Sequence, residues 1–66
     1  MRVFDDKTSG VTANDKYYVV SGVDEKDDVI FKTSFIVASD LVCSGNVSAL
    51  FDLVVFGDIV VEEMEV

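Results

Sequence analysis

The sequence predicts an all-β chain built from six-residue repeats. Three observations carry the prediction. Read in sixes from residue 10, the second position is apolar in all nine hexads: Val11, Tyr17, Val23, Val29, Phe35, Leu41, Val47, Leu53 and Ile59. Six is not a helical period, and a chain rich in Val, Ile, Phe and Tyr suits pleated surfaces. No proline occurs anywhere, so no backbone ladder is interrupted for want of a donor.

Taken in order, residues 1–9 precede the repeat and read as a separate N-terminal segment of a single small domain, 1–66. GVTAND and KYYVVS open the repeat, with Val11 and Ala13, then Tyr17 and Val19, in second and fourth positions. Side chains two apart on a strand share a face, so these positions point inward together. GVDEKD places Glu25 at a fourth position, and this hexad reads as a loop or a distorted corner. From DVIFKT through DIVVEE the pattern runs to residue 63, with Phe31, Val37, Cys43, Ala49, Val55 and Val61 in fourth positions. First positions over the same stretch are Asp28, Ser34, Asp40, Asn46, Asp52 and Asp58. Short polar side chains of this kind bond their own backbone at corners. Gly10, Gly22, Gly45 and Gly57 fit corners too and lack the spacing of a phosphate-binding loop before a helix. Residues 64–66 form a tail, and EEMEV is expected to fray or to complete the last strand.

The phrases SGNVSA and FGDIVV, glycine then Asn or Asp then Val or Ile, resemble the repeats of bactofilins and other hexapeptide-type parallel β-helices over residues 28–63. That resemblance implies a short parallel β-solenoid of about three coils, three hexads to each, and a self-assembling scaffold. A small antiparallel meander or barrel competes for the same facts. Turn signals at Ser21-Gly22, Thr33-Ser34, Gly45-Asn46 and Gly57-Asp58 recur every 12 residues, and Gly-Asp suits a tight hairpin. Two-residue loops would set the apolar positions of successive strands on opposite faces, whereas three-residue loops would restore the parity.

A core built from 66 residues is expected to supply only a few kcal/mol of net stability. One cysteine and no histidine leave no disulfide or common metal site to supplement it, which points to a homo-oligomer, a dimer first. In a solenoid the outward positions of the middle face would gather Tyr18, Val20, Ile36, Ala38, Val54 and Phe56. Such an apolar patch on a small protein marks an interface, so Tyr18, Val20, Ile36, Val54 and Phe56 are the candidate oligomer contacts. The other reading of these residues is a second core layer beneath segment 1–9.

Little in the chain suits catalysis: no histidine is present and no carboxylate pair stands out by spacing, so no catalytic, cofactor or metal residue is assigned and the protein reads as a non-enzyme. Cys43 falls at an inward position and reads as a buried structural thiol. The run DEKDD, Asp24 to Asp28, lacks the glycine and ligand spacing of an EF-hand and reads as a solvated loop. Thirteen acids against five bases give a net charge of −8, which disfavours direct binding to nucleic acid or to an anionic membrane. With no long apolar run and no signal-like N-terminus, a cytoplasmic setting is expected, the host cytoplasm for a viral protein. The fitting partner is a basic protein, with Asp28, Asp40, Asp52 and Asp58 as candidate contacts. Small, acidic proteins without catalytic groups resemble phage-encoded inhibitors of host defence nucleases and helicases, and acidic β-helices that imitate DNA. An anti-defence inhibitor that occupies a basic site is therefore one expectation, and the bactofilin-like scaffold the alternative.

Overall fold

The structure, a computed structural model, describes residues 1–61. The expectations placed on 62–66, including the tail, lie outside the described residues. Within them the chain is all β: β1 (Arg2–Phe4), β2 (Thr12–Ala13), β3 (Tyr18–Val20), β4 (Val23–Glu25), β5 (Val29–Phe31), β6 (Phe35–Val37), β7 (Leu41–Cys43), β8 (Val47–Ala49), β9 (Leu53–Val55) and β10 (Ile59–Val61).

These strands form three sheets, ordered β1-β5-β8, β2-β3-β6-β9 and β4-β7-β10. Val29 pairs with Val47, Phe35 with Leu53 and Leu41 with Ile59, all in parallel and 18 residues apart. Three hexads therefore make one turn of a parallel β-solenoid, and the strands group into coils β1-β3-β4, β5-β6-β7 and β8-β9-β10. A meander would need antiparallel neighbours, and the one antiparallel pair among the described residues is β2 on β3.

The repeat frame departs from the hexad count at two places near the N-terminus. GVTAND does not supply the first strand of coil one; Arg2–Phe4 does, in register with Val29–Phe31. Residues 1–9 are thus neither a separate segment nor a cover for a second core layer. The physical reason is Phe4: its ring stacks on Phe31 at 4.9 Å and meets Phe35 edge-on at 5.9 Å, while the Arg2 guanidinium lies 4.6 Å from its centroid. A buried aromatic of this kind removes far more apolar area from water than Ala13 would in the same place.

The second departure is a shift by one residue. Tyr18, not Tyr17, pairs with Phe35, a separation of 17. An Asx turn absorbs the difference: Asn14 Oδ1 accepts from the amides of Lys16 at 3.3 Å and Tyr17 at 3.0 Å, and the Asn14 amide donates to the Tyr17 carbonyl at 2.8 Å. Tyr18 and Val20 consequently face inward, Tyr18 packing against the core with its ring 5.9 Å from Phe35. Val19 faces out beside Ile36.

Glu25, expected in a loop, completes strand β4 opposite Cys43. Coil one is the end of the stack, so this fourth position borders the rim, where Arg2 reaches it at 3.6 Å.

Burial follows the stacking. All six inward side chains of the middle coil are buried: Val29, Phe31, Phe35, Val37, Leu41 and Cys43. Coil one adds Phe4, Val20 and Val23, with Val11 from the excursion 5–17 packed against them. Coil three contributes none that is fully buried; Val47, Leu53 and Val55 are half-buried, and Ala49, Ile59 and Val61 are exposed. Among the described residues one end of the solenoid is covered and the other is open.

Candidate functional site: acidic corners and an open apolar end

At two corners an aspartate of one coil is tied to the coil above it. The Asn46 amide donates to Asp28 Oδ1, and the Asp58 amide donates to Asp40 Oδ1, each at 2.9 Å. The residue before each donor is a glycine for a steric reason. A Cβ on Gly45 would lie 2.7 Å from the Asp28 amide nitrogen, and one on Gly57 would lie 2.6 Å from the Ser39 carbonyl carbon, besides meeting the carboxylates of Asp28 and Asp40. The corner unit is thus Asp in one coil under Gly-Asx in the next. Ser21 and Ser39 complete the second corner, where Ser39 Oγ donates to the Ser21 carbonyl at 2.6 Å.

The four aspartates proposed as partner contacts fall on three different corners. Asp40 and Asp58 share one between the second and third sheets, on successive coils. Asp28 lies between β4 and β5, and Asp52 between β8 and β9, where Tyr17 Oη donates to its carboxylate at 3.2 Å. The Asp52 charge beside it raises the Tyr17 phenol above its ordinary value. Asp40, Asp52 and Asp58 are exposed, whereas Asp28 is half-buried in its corner. A single row of four carboxylates does not form.

The acids of DEKDD hold local structure and do not converge. Glu25 meets Arg2, and Asp27 Oδ1 accepts from the Asp28 amide at 2.8 Å. Asp27 Oδ2 accepts from the Met1 ammonium at 2.8 Å, and this bond holds the carboxyl below its ordinary value. No group of three or more His, Cys, Asp or Glu side chains is placed to hold a metal among the described residues. Cys43 is buried, and its thiol donates to the Asp27 carbonyl at 3.0 Å, closing the corner from inside.

Apolar exposure is concentrated at the open end. Met1 apart, every large exposed hydrophobic among the described residues lies in coil three, between Leu50 and Val61. Leu50, Phe51 and Phe56 are 60, 64 and 71 % exposed and stand at the corners on either side of β9. This differs from the lateral patch read from the sequence. Of its five residues Tyr18 and Val20 turn inward, Ile36 and Val54 form an outward row with Val19, and Phe56 belongs to the end. Leu50 and Phe51 escaped that reading, although large apolar residues in fifth and sixth positions are visible in NVSALF.

Charge divides along the same axis. All five bases lie in residues 1–32, so coil three and its corners carry Asp52 and Asp58 with no Lys or Arg. Among the described residues no helix is long and apolar enough to cross a membrane. No protein-family model, curated protein or solved structure matches the chain.

Proposed function

We propose that the protein is a non-enzymatic acidic interaction module that occupies the basic site of a partner protein, in the manner of an inhibitor that stands in for nucleic acid. The observation that carries this reading is the placement of Asp40, Asp52 and Asp58 as exposed carboxylates at corners of the coils in a stretch devoid of bases. Successive coils repeat at about 4.8 Å, so Asp40 and Asp58 present charge at a spacing of the same order as phosphates along a strand. The Asp58 amide fixes one oxygen of Asp40, so the corner is ordered before a partner arrives, which lowers the entropic cost of binding. A nuclease or helicase of a host defence system, acting in the cytoplasm, has the basic groove this surface fits.

The second reading is the self-assembling scaffold implied by the hexapeptide resemblance. The edges of β8, β9 and β10 that no strand pairs with among the described residues favour it. Against head-to-tail growth, β2 lies antiparallel on β3 and occupies an edge that an incoming coil would need.

The test is affinity capture from a host lysate on the immobilised protein, compared with the Asp52→Lys, Asp58→Lys variant. Asp28 and Asp40 stay in place because they hold corners. The expected result is capture of basic proteins that heparin or duplex DNA releases and that the variant does not retain. Capture that survives both charge reversal and heparin would refute the reading.

A further inference from the structure

We propose that the open end of coil three is a dimer interface, closed by the same end of a second copy across a two-fold axis through β9. This goes beyond the reading above and does not rest on it.

The backbone sets the rule. Within the stack, the amides of Val29, Phe35 and Leu41 donate up to the carbonyls of Asn46, Asp52 and Asp58, and the amides of Leu50 and Phe56 donate down to Phe31 and Val37. Second-position amides and fourth-position carbonyls therefore point toward the next coil. In coil three these are the amides of Val47, Leu53 and Ile59 and the carbonyls of Ala49, Val55 and Val61, and no strand pairs with that edge among the described residues. Unpaired edges of this kind are templates for pairing with another chain.

Geometry then selects the two-fold. The coil climbs from β8 through β9 to β10, so an axis through either outer strand would leave a gap of a whole rung at another sheet. Only an axis through the middle strand makes all three gaps equal. It sets β9 antiparallel on its own copy and β8 on β10 of the second copy. Leu53 then faces Val55, Val47 faces Val61 and Ala49 faces Ile59, and each amide meets a carbonyl. The inward side chains of coil three, half-buried or exposed in one copy, close over one another.

The corners agree. This axis lays the corner Leu50-Phe51-Asp52 against Phe56-Gly57-Asp58 of the second copy. Phe51 falls opposite Gly57, which presents no side chain of its own, and the three exposed corner hydrophobics come together. A head-to-tail contact offers them instead the covered end, where β2 and the excursion 5–17 lie.

Val54 sits on the axis with its side chain outward, so Val54 and its copy form a non-hydrogen-bonded antiparallel pair about 4.5 Å apart at Cα, close enough for a disulfide. The chain carrying Val54→Cys, mildly oxidised, is expected to cross-link as a dimer, while Ile36→Cys on the same sheet face is not. Cys43 is buried and takes no part. Light scattering of the unmodified chain is expected to give a discrete dimer, and Phe51→Glu with Phe56→Glu a mass of half that with an unchanged far-ultraviolet circular dichroism spectrum. A monomer at every concentration, a mass that climbs without limit, or equal cross-linking through Ile36→Cys would each overturn the proposal. The dimer is measured without any partner protein, so its failure leaves the acidic-module reading standing, and the reverse holds too.

Discussion

An aspartate at the corner of a β-coil does two jobs that sequence alone does not separate. Asp28 and Asp40 each turn one oxygen inward to a main-chain amide of the next coil, and that amide would otherwise lie unpaired in a crowded corner. A net hydrogen bond of this kind contributes about 1 kcal/mol, somewhat more when the acceptor is charged. Asp40→Ala is therefore expected to lower stability by about 1–2 kcal/mol in urea unfolding, with Asp40→Asn, which keeps the acceptor, costing less. Gly45→Ala is expected to cost about 1–3 kcal/mol, because the new methyl meets main chain at Asp27 and Asp28 as well as the Asp28 carboxylate, and the main chain does not yield. If Gly45→Ala leaves the midpoint unchanged, the corner is looser than its geometry indicates. By contrast Asp58, whose amide and not its carboxylate holds the corner, is open to substitution.

At the scale of the element, β3 shows what the repeat could and could not reveal. From Val23 onward the second-position column fixes both strand and facing, because each apolar residue has its partner 18 residues away and one register alone turns all of them to the inner face. Before that point an apolar residue at every sixth place fits more than one frame. KYYVVS is apolar at four consecutive positions, so periodicity does not choose between Tyr17 and Tyr18. The turn at Asn14 chooses, and a turn that absorbs one residue is invisible to a count in sixes. The same limit explains the misplaced lateral patch, since a slip of one exchanges the two faces of a strand. The shift is testable by paired substitutions. Val20→Asp, at a buried position, is expected to destabilise by several kcal/mol or to unfold the chain, while Val19→Asp costs about 1 kcal/mol or less. Equal losses in thermal unfolding would show that the frame of β3 is not as described.

On the scale of the whole molecule, burial and charge both grade along the solenoid axis, and together they make a prediction that neither makes alone. Among the described residues the open end offers apolar corners and unpaired strand edges, which favour closure by a second copy. Its rim is purely acidic, and the whole chain carries −8, which opposes the same closure through the solvent. The dimer should therefore tighten as added salt screens that repulsion. Charge reversal separates the local part of the effect from the global part. Across the proposed two-fold each Asp58 shares a corner with Asp52 of the other copy, so Asp58→Lys converts two repulsive corners into two attractive ones. Exposed pairs contribute roughly 0.2–1 kcal/mol each, so the dissociation constant is expected to fall by about 2- to 30-fold at low salt. Asp24→Lys makes the same change in net charge on β4, far from that end, and is expected to tighten the dimer much less. Adding Asp52→Lys to Asp58→Lys sets lysine against lysine and should return the constant toward that of the Asp24→Lys protein. If sedimentation shows Asp24→Lys and Asp58→Lys shifting it equally, the carboxylates act only through total charge, and the paired corners do not meet.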